Sequence, residues 1–425
     1  MISKVINKNI LVYDFGSFFG IAERLTKYYN KVYYHTPSIN FGYPRHAAFY
    51  IGENIEGVIR VEDWESILPF VDAIIFPDVY QYSKHSFLRN YGKPVYGCGD
   101  SGKLEIDRIL LTQTLENLGL PVQKYEIAEG IDALIENLTI NEDRWIKSSI
   151  RGDMETWHHQ NIALSSVHLQ GIKAKLGATK NQEKYLIQNP IKNAIEYGTD
   201  QILINGIPAD FGFVGIEVKS KCYVTYITET RNIPLGLKKI NEKLQPILTA
   251  LNYCGSLSNE CRVTKDKTHY LTDLTCRMGW PPAQIQACMI ENYGEVIWDV
   301  ANGIRPDIKY KYKYGVEVLI YSEAAKYESV PIIIPEEYKE YISIANHMKD
   351  ENGVSFYLSQ KEERDGAMQI GSIIGVGHSL NEAIKMAQKI SDMIEGFDIE
   401  VNMCAFDDAK ETIKKAQQMG INIFN

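Results

Sequence analysis

Three side chains at alternate positions of the stretch Tyr270–Gly279, YLTDLTCRMG, are of the types that handle metal and phosphate: Asp273, Thr275 and Arg277. A fourth, Glu260, stands thirteen positions before Asp273. Two carboxylates facing one cavity are costly unless a cation sits between them. A hard divalent ion such as Mg²⁺ takes a few carboxylate oxygens and completes its shell with substrate phosphates. A hydroxyl can join that shell, and a guanidinium beside it can grip a carboxylate with two parallel hydrogen bonds. No spacing in the chain suggests a Ser, Cys or His nucleophile. The His158-His159 pair has no third residue at ligand spacing and reads as surface.

These residues need a scaffold that turns them to one side. Tyr270, Thr272, Leu274 and Cys276 alternate with Leu271, Asp273, Thr275 and Arg277, the period of a strand. A second strand, Leu257–Thr264, precedes it across the polar connector Lys265–Thr268. The two read as a hairpin with Glu260 and Asp273 on one side. Gly279, Trp280 and Pro281-Pro282 end it, and a helix follows over Ala283–Tyr293 with Gln284 in it.

At the other end of the chain, Asn9–Asp14 reads as a buried strand. It runs into Gly16-Ser17-Phe18-Phe19-Gly20 and a helix over Ile21–Tyr29. Such a loop is either an anion cradle made of backbone amides or a plain tight turn. Lys31–His35, Val71–Pro77 and Pro94–Gly97 are further short strands, so the region to residue 98 is a small parallel α/β domain. A helix is expected from Ser101 to Gly119. Trp145–Ser149, Tyr185–Pro190, Phe213–Glu217, Cys222–Thr228, Tyr314–Tyr321 and Ser372–Gly377 read as strands. Ser379 and Glu382 form a capping box on a helix to Glu395, and Asp407–Gln418 is one more helix.

The 425 residues suit two to four domains, with 45% hydrophobic and 23% charged residues, an ordinary globular composition. The net charge of −9 argues against a broad nucleic-acid surface. Seven scattered cysteines without a CxxC pair fit buried thiols in a reducing compartment. No signal-peptide core and no apolar run approaching a membrane span is present, so a soluble cytoplasmic protein is expected.

The hairpin pattern resembles the metal-binding hairpin of the ATP-grasp ligases. TDLTCRMGWPPAQ is similar to the EFNCRFGDPETQ-type segment of glycinamide ribonucleotide synthetases (phosphoribosylamine–glycine ligases), with Thr275 at the place of an asparagine and Trp280 at the place of an acid. Gly97–Pro121 and GVGHSLNEAIKMAQKI resemble two further segments of that family. The resemblance implies an α/β (α+β) ATP-grasp fold. It would have an N-terminal Rossmann-like domain at 1–98, an ATP-grasp core at 99–310 with a small lid at about 122–192, and a C-terminal α+β domain at 311–425.

It also implies ATP and Mg²⁺, with Glu260, Asp273 and Thr275 as metal ligands. Arg108 stands where a phosphate-contacting lysine is usual, and is either that contact or a solvated helix cation. Lys147 would reach the nucleotide phosphates, and Arg151 would serve the flap 150–159, which has one glycine. Gln188 would read the adenine edge. Asp200 is either a ribose ligand or a turn residue. Arg231 would face the reaction centre, and Arg277 would hold the acceptor carboxylate.

The implied reaction joins a small carboxylate, an amino acid such as glycine, to an amine. The N-terminal loop DFGSFFGIAER departs from the family's GNGGREHA. With Phe18, Phe19, Tyr33, Tyr34, Tyr43, Tyr50, Arg45 and His46 nearby, it points to an amine other than phosphoribosylamine, unless these aromatics are simply core. A nucleotide-binding protein with a decayed site is the alternative function. A biotin-carboxylase-like component fits less well.

Overall fold

The computed structural model describes residues 6–37, 39–40, 43–44, 47–148, 156–280, 282–361 and 366–424. Arg151, Arg45, His46 and the side chain of Tyr43 lie outside the described residues.

Three sheets organise the chain. The first is parallel and takes the short apolar runs near the N-terminus. Its strands Val58–Arg60, Tyr29–His35, Ile6–Tyr13, Ala73–Ile75 and Val95–Tyr96 lie side by side in that order. Its central strand is apolar on both faces because it is covered on both. The second is antiparallel, built from Thr156–His159, Arg144–Ser148, Lys184–Gln188 and Tyr125–Glu129, with the helices Ile131–Ile140 and Ile162–Leu176 packed on it.

The third sheet has nine strands and is the centre of the molecule. Its hairpin edge, His269–Thr275 with Gly255–Thr264, continues through Ala194–Ile204, Ile207–Val218 and Cys222–Glu229. Tyr314–Ser322 then pairs with Cys222–Glu229, so the sheet runs on across position 310 into Met368–Gly377 and Ile342–Ile344. One face carries Ile202, Phe213, Tyr223 and Ile374 and packs on the helix Pro282–Met289 and the N-terminal domain. The opposite face carries Tyr197, Val214, Cys261 and Leu274 and packs on the helix Leu235–Ala250.

The expected helix from Ser101 to Gly119 is broken. A single turn, Lys103–Ile106, ends at Asp107, whose extended backbone and side chain cap a new helix over Arg108–Asn117. Asp107 Oδ1 accepts the amides of Ile109 at 3.1 Å and Leu110 at 2.9 Å. The helix after the hairpin also ends early, at Met289, and a second one begins at Tyr293. Ser379 does cap its helix: its hydroxyl accepts the Glu382 amide at 3.3 Å, while the Glu382 carboxylate reaches back to the amide of His378 at 2.9 Å.

The seven cysteines are free thiols, five of them buried. Among the described residues no helix is long and apolar enough to cross a membrane.

Candidate active site

The hairpin brings its acids together directly. Glu260 and Asp273 are cross-strand partners, and Ser258 and Thr275 are the next pair on the same face. The register slips just beyond, between Glu260 and Cys261, so Thr272 is the extra residue of a bulge. Its hydroxyl donates to the Glu260 carbonyl at 3.0 Å.

Neighbouring strands add more acid to this face. Glu196 lies opposite Arg262, two positions along from Glu260 on the same side, and Arg262 Nε donates to it at 2.7 Å. Lys219 sits among three carboxylates, at 2.7 Å and 2.9 Å from the two Glu260 oxygens and 2.9 Å from Glu217. Burial and the charge of Glu196 push the Glu260 carboxyl up, and Lys219 pulls it back. The same acids hold Lys219 firmly protonated against its burial.

Asp273 has the opposite setting. Burial alone would raise it. The Arg108 guanidinium, which donates to its Oδ1, and Lys147 beyond it more than offset burial and hold the carboxyl at about 2. Arg108 is there because of the helix break at Asp107. As the first residue of the new helix its side chain points inward and is buried. Lys147 comes from the second sheet, in the strand between Lys184–Gln188 and Thr156–His159, and donates to the Thr272 carbonyl at the bulge. Burial lowers its pKa, with Asp273 opposing.

Gln188 ends its strand in the same region and is buried. Its amide nitrogen donates to Gln123 at 3.2 Å, and its Oε1 has no partner among the described residues. An unfilled buried carbonyl is a place for a donor such as an exocyclic amine.

Arg277 is aimed by Glu105, a residue that the sequence reading passed over. The Glu105 carboxylate accepts Arg277 Nε at 2.8 Å and the Cys276 amide at 2.5 Å. Burial raises Glu105 to about 6 against the pull of Arg277. Beyond it the guanidinium faces Asp78 and Tyr80 of the N-terminal domain, and the Met278 amide donates to the Pro77 carbonyl at 3.0 Å.

Two residues do not join this group. Asp200 was read as either a ribose ligand or a turn residue. It lies mid-strand in Ala194–Ile204 with both oxygens used inside the sheet, accepting Tyr223 Oη at 2.5 Å and the Ser258 hydroxyl. Burial lifts it to about 6. Neither oxygen is left for a ribose hydroxyl and the residue is in a strand rather than a turn, so both readings are corrected. Arg231 was expected at the reaction centre. It is 77% exposed and paired with Glu229. It lines a cleft of about 600 Å³ with Gln201, Asn241 and Arg305. Gln201 is bonded to Asn241 of the helix Leu235–Ala250, on the sheet face opposite the acids, so Arg231 serves a different surface.

The glycine loop of the first domain is not an anion cradle. Asp14 Oδ2 accepts the amides of Gly16 at 2.9 Å and Phe18 at 3.1 Å, and Tyr34 Oη at 3.0 Å. The donors that a phosphate would need are taken by the chain's own carboxylate. The two glycines are there for close packing. A Cβ on Gly16, whose φ is +97°, would stand 1.9 Å from Asn346 Oδ1, and one on Gly20 would stand 2.2 Å from the Ser343 hydroxyl. Phe18, Phe19 and Tyr34 are buried core, with Phe18 edge-on to Trp280.

Among the described residues no cluster of three or more His, Cys, Asp or Glu is arranged to hold a metal by itself. The paired acids fit a metal that arrives with a nucleotide. Two carboxylates stand side by side, and their counterions are the side-chain cations Lys219 and Arg108 rather than fixed backbone donors.

No family model and no curated protein matches the chain. Solved structures do. A phosphoribosylamine–glycine ligase from Thermotoga maritima superposes with a TM-score of 0.68 at 15% identity, covering 92% of this chain and 98% of the other. The biotin carboxylase domain of a 2-oxoglutarate carboxylase from Hydrogenobacter thermophilus, solved with MgADP and bicarbonate, gives 0.68 at 11%, over 98% and 99% of the two chains. An N5-carboxyaminoimidazole ribonucleotide synthetase from Thermotoga maritima gives 0.56 at 13%, over 92% and 99%. At these identities the likeness speaks for the fold: the chain has the ATP-grasp fold, over nearly its whole length.

Proposed function

We propose that this protein is an ATP-dependent carboxylate–amine ligase that works through an acyl phosphate. The observation that carries the reading is the in-register pair Glu260 and Asp273 ringed by Arg108, Lys147 and Lys219. Such a ring suits the β- and γ-phosphates of ATP. Arg108 and Lys147 would take phosphate oxygens. Gln188 Oε1 would accept from the adenine amino group. Glu260, Asp273 and Thr275 would hold Mg²⁺, which would supply Lewis-acid neutralisation of the phosphate charge. Arg277, braced by Glu105, would hold the carboxylate substrate.

The substrate carboxylate oxygen then attacks the γ-phosphorus and the bond to ADP breaks. The amine nitrogen attacks the acyl carbon, phosphate departs with the amine's proton, and an amide is left. Pre-positioned cations in a closed cleft are what such phosphoryl transfer needs. An amino acid such as glycine is proposed as the carboxylate. The amine is proposed to differ from phosphoribosylamine, because Asp14 fills the loop where a sugar phosphate would dock.

The fold likeness alone does not choose between this ligase and a carboxylase of the biotin-dependent kind, since both types superpose equally well. A binder without turnover is a second reading, favoured by the pairing of Asp273 with Arg108 and of Glu260 with Lys219, which occupies the carboxylates a metal would need. Measuring ADP release with Mg²⁺, glycine and a panel of amines decides. Amine-dependent release supports the ligase, whereas tight MgADP binding without release supports the binder. Robust turnover with glycine and phosphoribosylamine would overturn the proposed amine.

A further inference from the structure

The N-terminal parallel sheet has its first strand between Tyr29–His35 on one side and Ala73–Ile75 on the other, so the chain winds away from it in both directions. Open α/β sheets bind ligands at such a reversal, beyond the carboxyl ends of the two strands concerned. Here the residues just beyond those ends are acids, Asp14 after Ile6–Tyr13 and Asp78 after Ala73–Ile75. Both are buried, Asp14 fully and Asp78 to 8% exposure.

Two oxygens at this reversal are unfilled acceptors, while Asp78 Oδ1 already accepts the Val79 amide at 2.6 Å. Asp14 Oδ2 is occupied, but Asp14 Oδ1 has no partner among the described residues. Asn346, 9% exposed, presses its Oδ1 against Gly16, and that oxygen is also without a partner among them. Leaving buried acceptors unpaired costs about 1–3 kcal/mol each, more when charged. Burial and the nearby Asp78 charge raise Asp14 to about 6. The notch adjoins the candidate active site, since Asp78 faces Arg277 and Pro77 is bonded to Met278.

An anion entering here would meet two carboxylates, with the loop amides already spent. A group that brings several N–H donors and positive charge would meet what it needs. We infer that this reversal point is a subsite for a primary ammonium group on the second substrate, held by Asp14, Asp78 and Asn346. The inference rests on the ligase reading, and it narrows the amine to a cationic alkylamine without a phosphate.

The test is calorimetry on the full chain with 1,4-diaminobutane and with ribose 5-phosphate as probes, each with and without MgADP. Saturable diamine binding, weakened tenfold or more in Asp78→Asn and in Asn346→Ala while MgADP affinity is unchanged, is the expected result. These two variants are used because Asp14 also braces its own loop. No saturable diamine binding, unchanged binding in both variants, or ribose 5-phosphate binding that either variant weakens would each overturn the subsite. Failure of MgADP to bind would instead count against the ligase reading, because diamine binding is also read without nucleotide.

Discussion

Asp14 follows its strand and Asp273 lies within one, yet their surroundings differ in kind. Asp14 is met by two backbone amides and a tyrosine hydroxyl. Asp273 is met by a guanidinium and, a little further off, an ammonium group. Neutral donors do not offset burial beside another carboxylate, so Asp14 rises to about 6. Two cations do offset it, and Asp273 is held at about 2. The contrast separates a closed arrangement from an exchangeable one. Amides of a tight loop cannot leave their acceptor, whereas Arg108 can trade its carboxylate, and Lys147 the Thr272 carbonyl, for phosphate oxygens.

The sharpest way to break the contrast is Asp273→Asn. We expect turnover to fall by about 10²–10³-fold or more, the scale seen when one preorganised charge is removed from a reaction centre. Thermal unfolding should show an intact fold. Unchanged ADP release would remove the hairpin from the active site.

The exchangeable side is tested next by comparing two lysines. Lys147→Ala should weaken ATP binding by about tenfold or more, the loss of one charge-assisted contact of about 1.5–3 kcal/mol. Lys173→Ala, which breaks only an exposed pair with Asp132, should leave it nearly unchanged. Equal losses by calorimetry would make Lys147 a structural cation only.

The two aspartates should also give opposite pH dependence. Asp14 has a folded pKa above its ordinary 3.8. Its contribution to stability is complete below that value and is lost as pH rises through about 6. Asp14→Asn should therefore compare better with the native chain at pH 8 than at pH 4, by on the order of 2–3 kcal/mol in denaturant unfolding. Asp273 has a folded pKa below 3.8, so its contribution is present above that value and lost as pH falls through about 2. The deficit of Asp273→Asn should shrink only in strong acid. Parallel profiles for the two variants would erase the distinction.

The smallest effect expected is from Tyr34→Phe, which removes one neutral donor from Asp14. The cost should be about 1 kcal/mol, and the inflection of the pH–stability curve should move upward, as loss of a bond to the charged form requires.

The chain's periodicities already held much of this. Alternation placed Asp273, Thr275 and Arg277 on one face, and the polar connector set a hairpin that the structure folds with Glu260 opposite Asp273. Lys219 was within reach of the same reasoning: Glu217 and Lys219 share a face at period two, but the expected strand stopped at Glu217, one residue short of Val218. Asp107 carried a capping signal before Arg108-Ile109-Leu110, hidden because the apolar spacing runs through it. Arg231 and Asp200 were placed by analogy of position, and analogy does not know which face of a sheet a loop serves or how deep a strand residue lies.

By itself the sequence determined local matters: which runs are strands, where Ser379 caps a helix, and which residues of the hairpin share a side. Backbone sterics and side-chain alternation act over a few residues, and they leave a readable period. Only the tertiary structure decided which charges meet. Arg108, Lys147 and Asp273 come from a helix and two sheets, and Lys219 from the turn after Ile207–Val218, and whether a carboxylate is held at about 2 or raised to about 6 depends on burial and on neighbours far away in the chain. The glycine loop makes the same point. Its spacing left an anion cradle and a plain tight turn both open, and folding made it a seat for Asn346 and Ser343 with Asp14 in place of an anion.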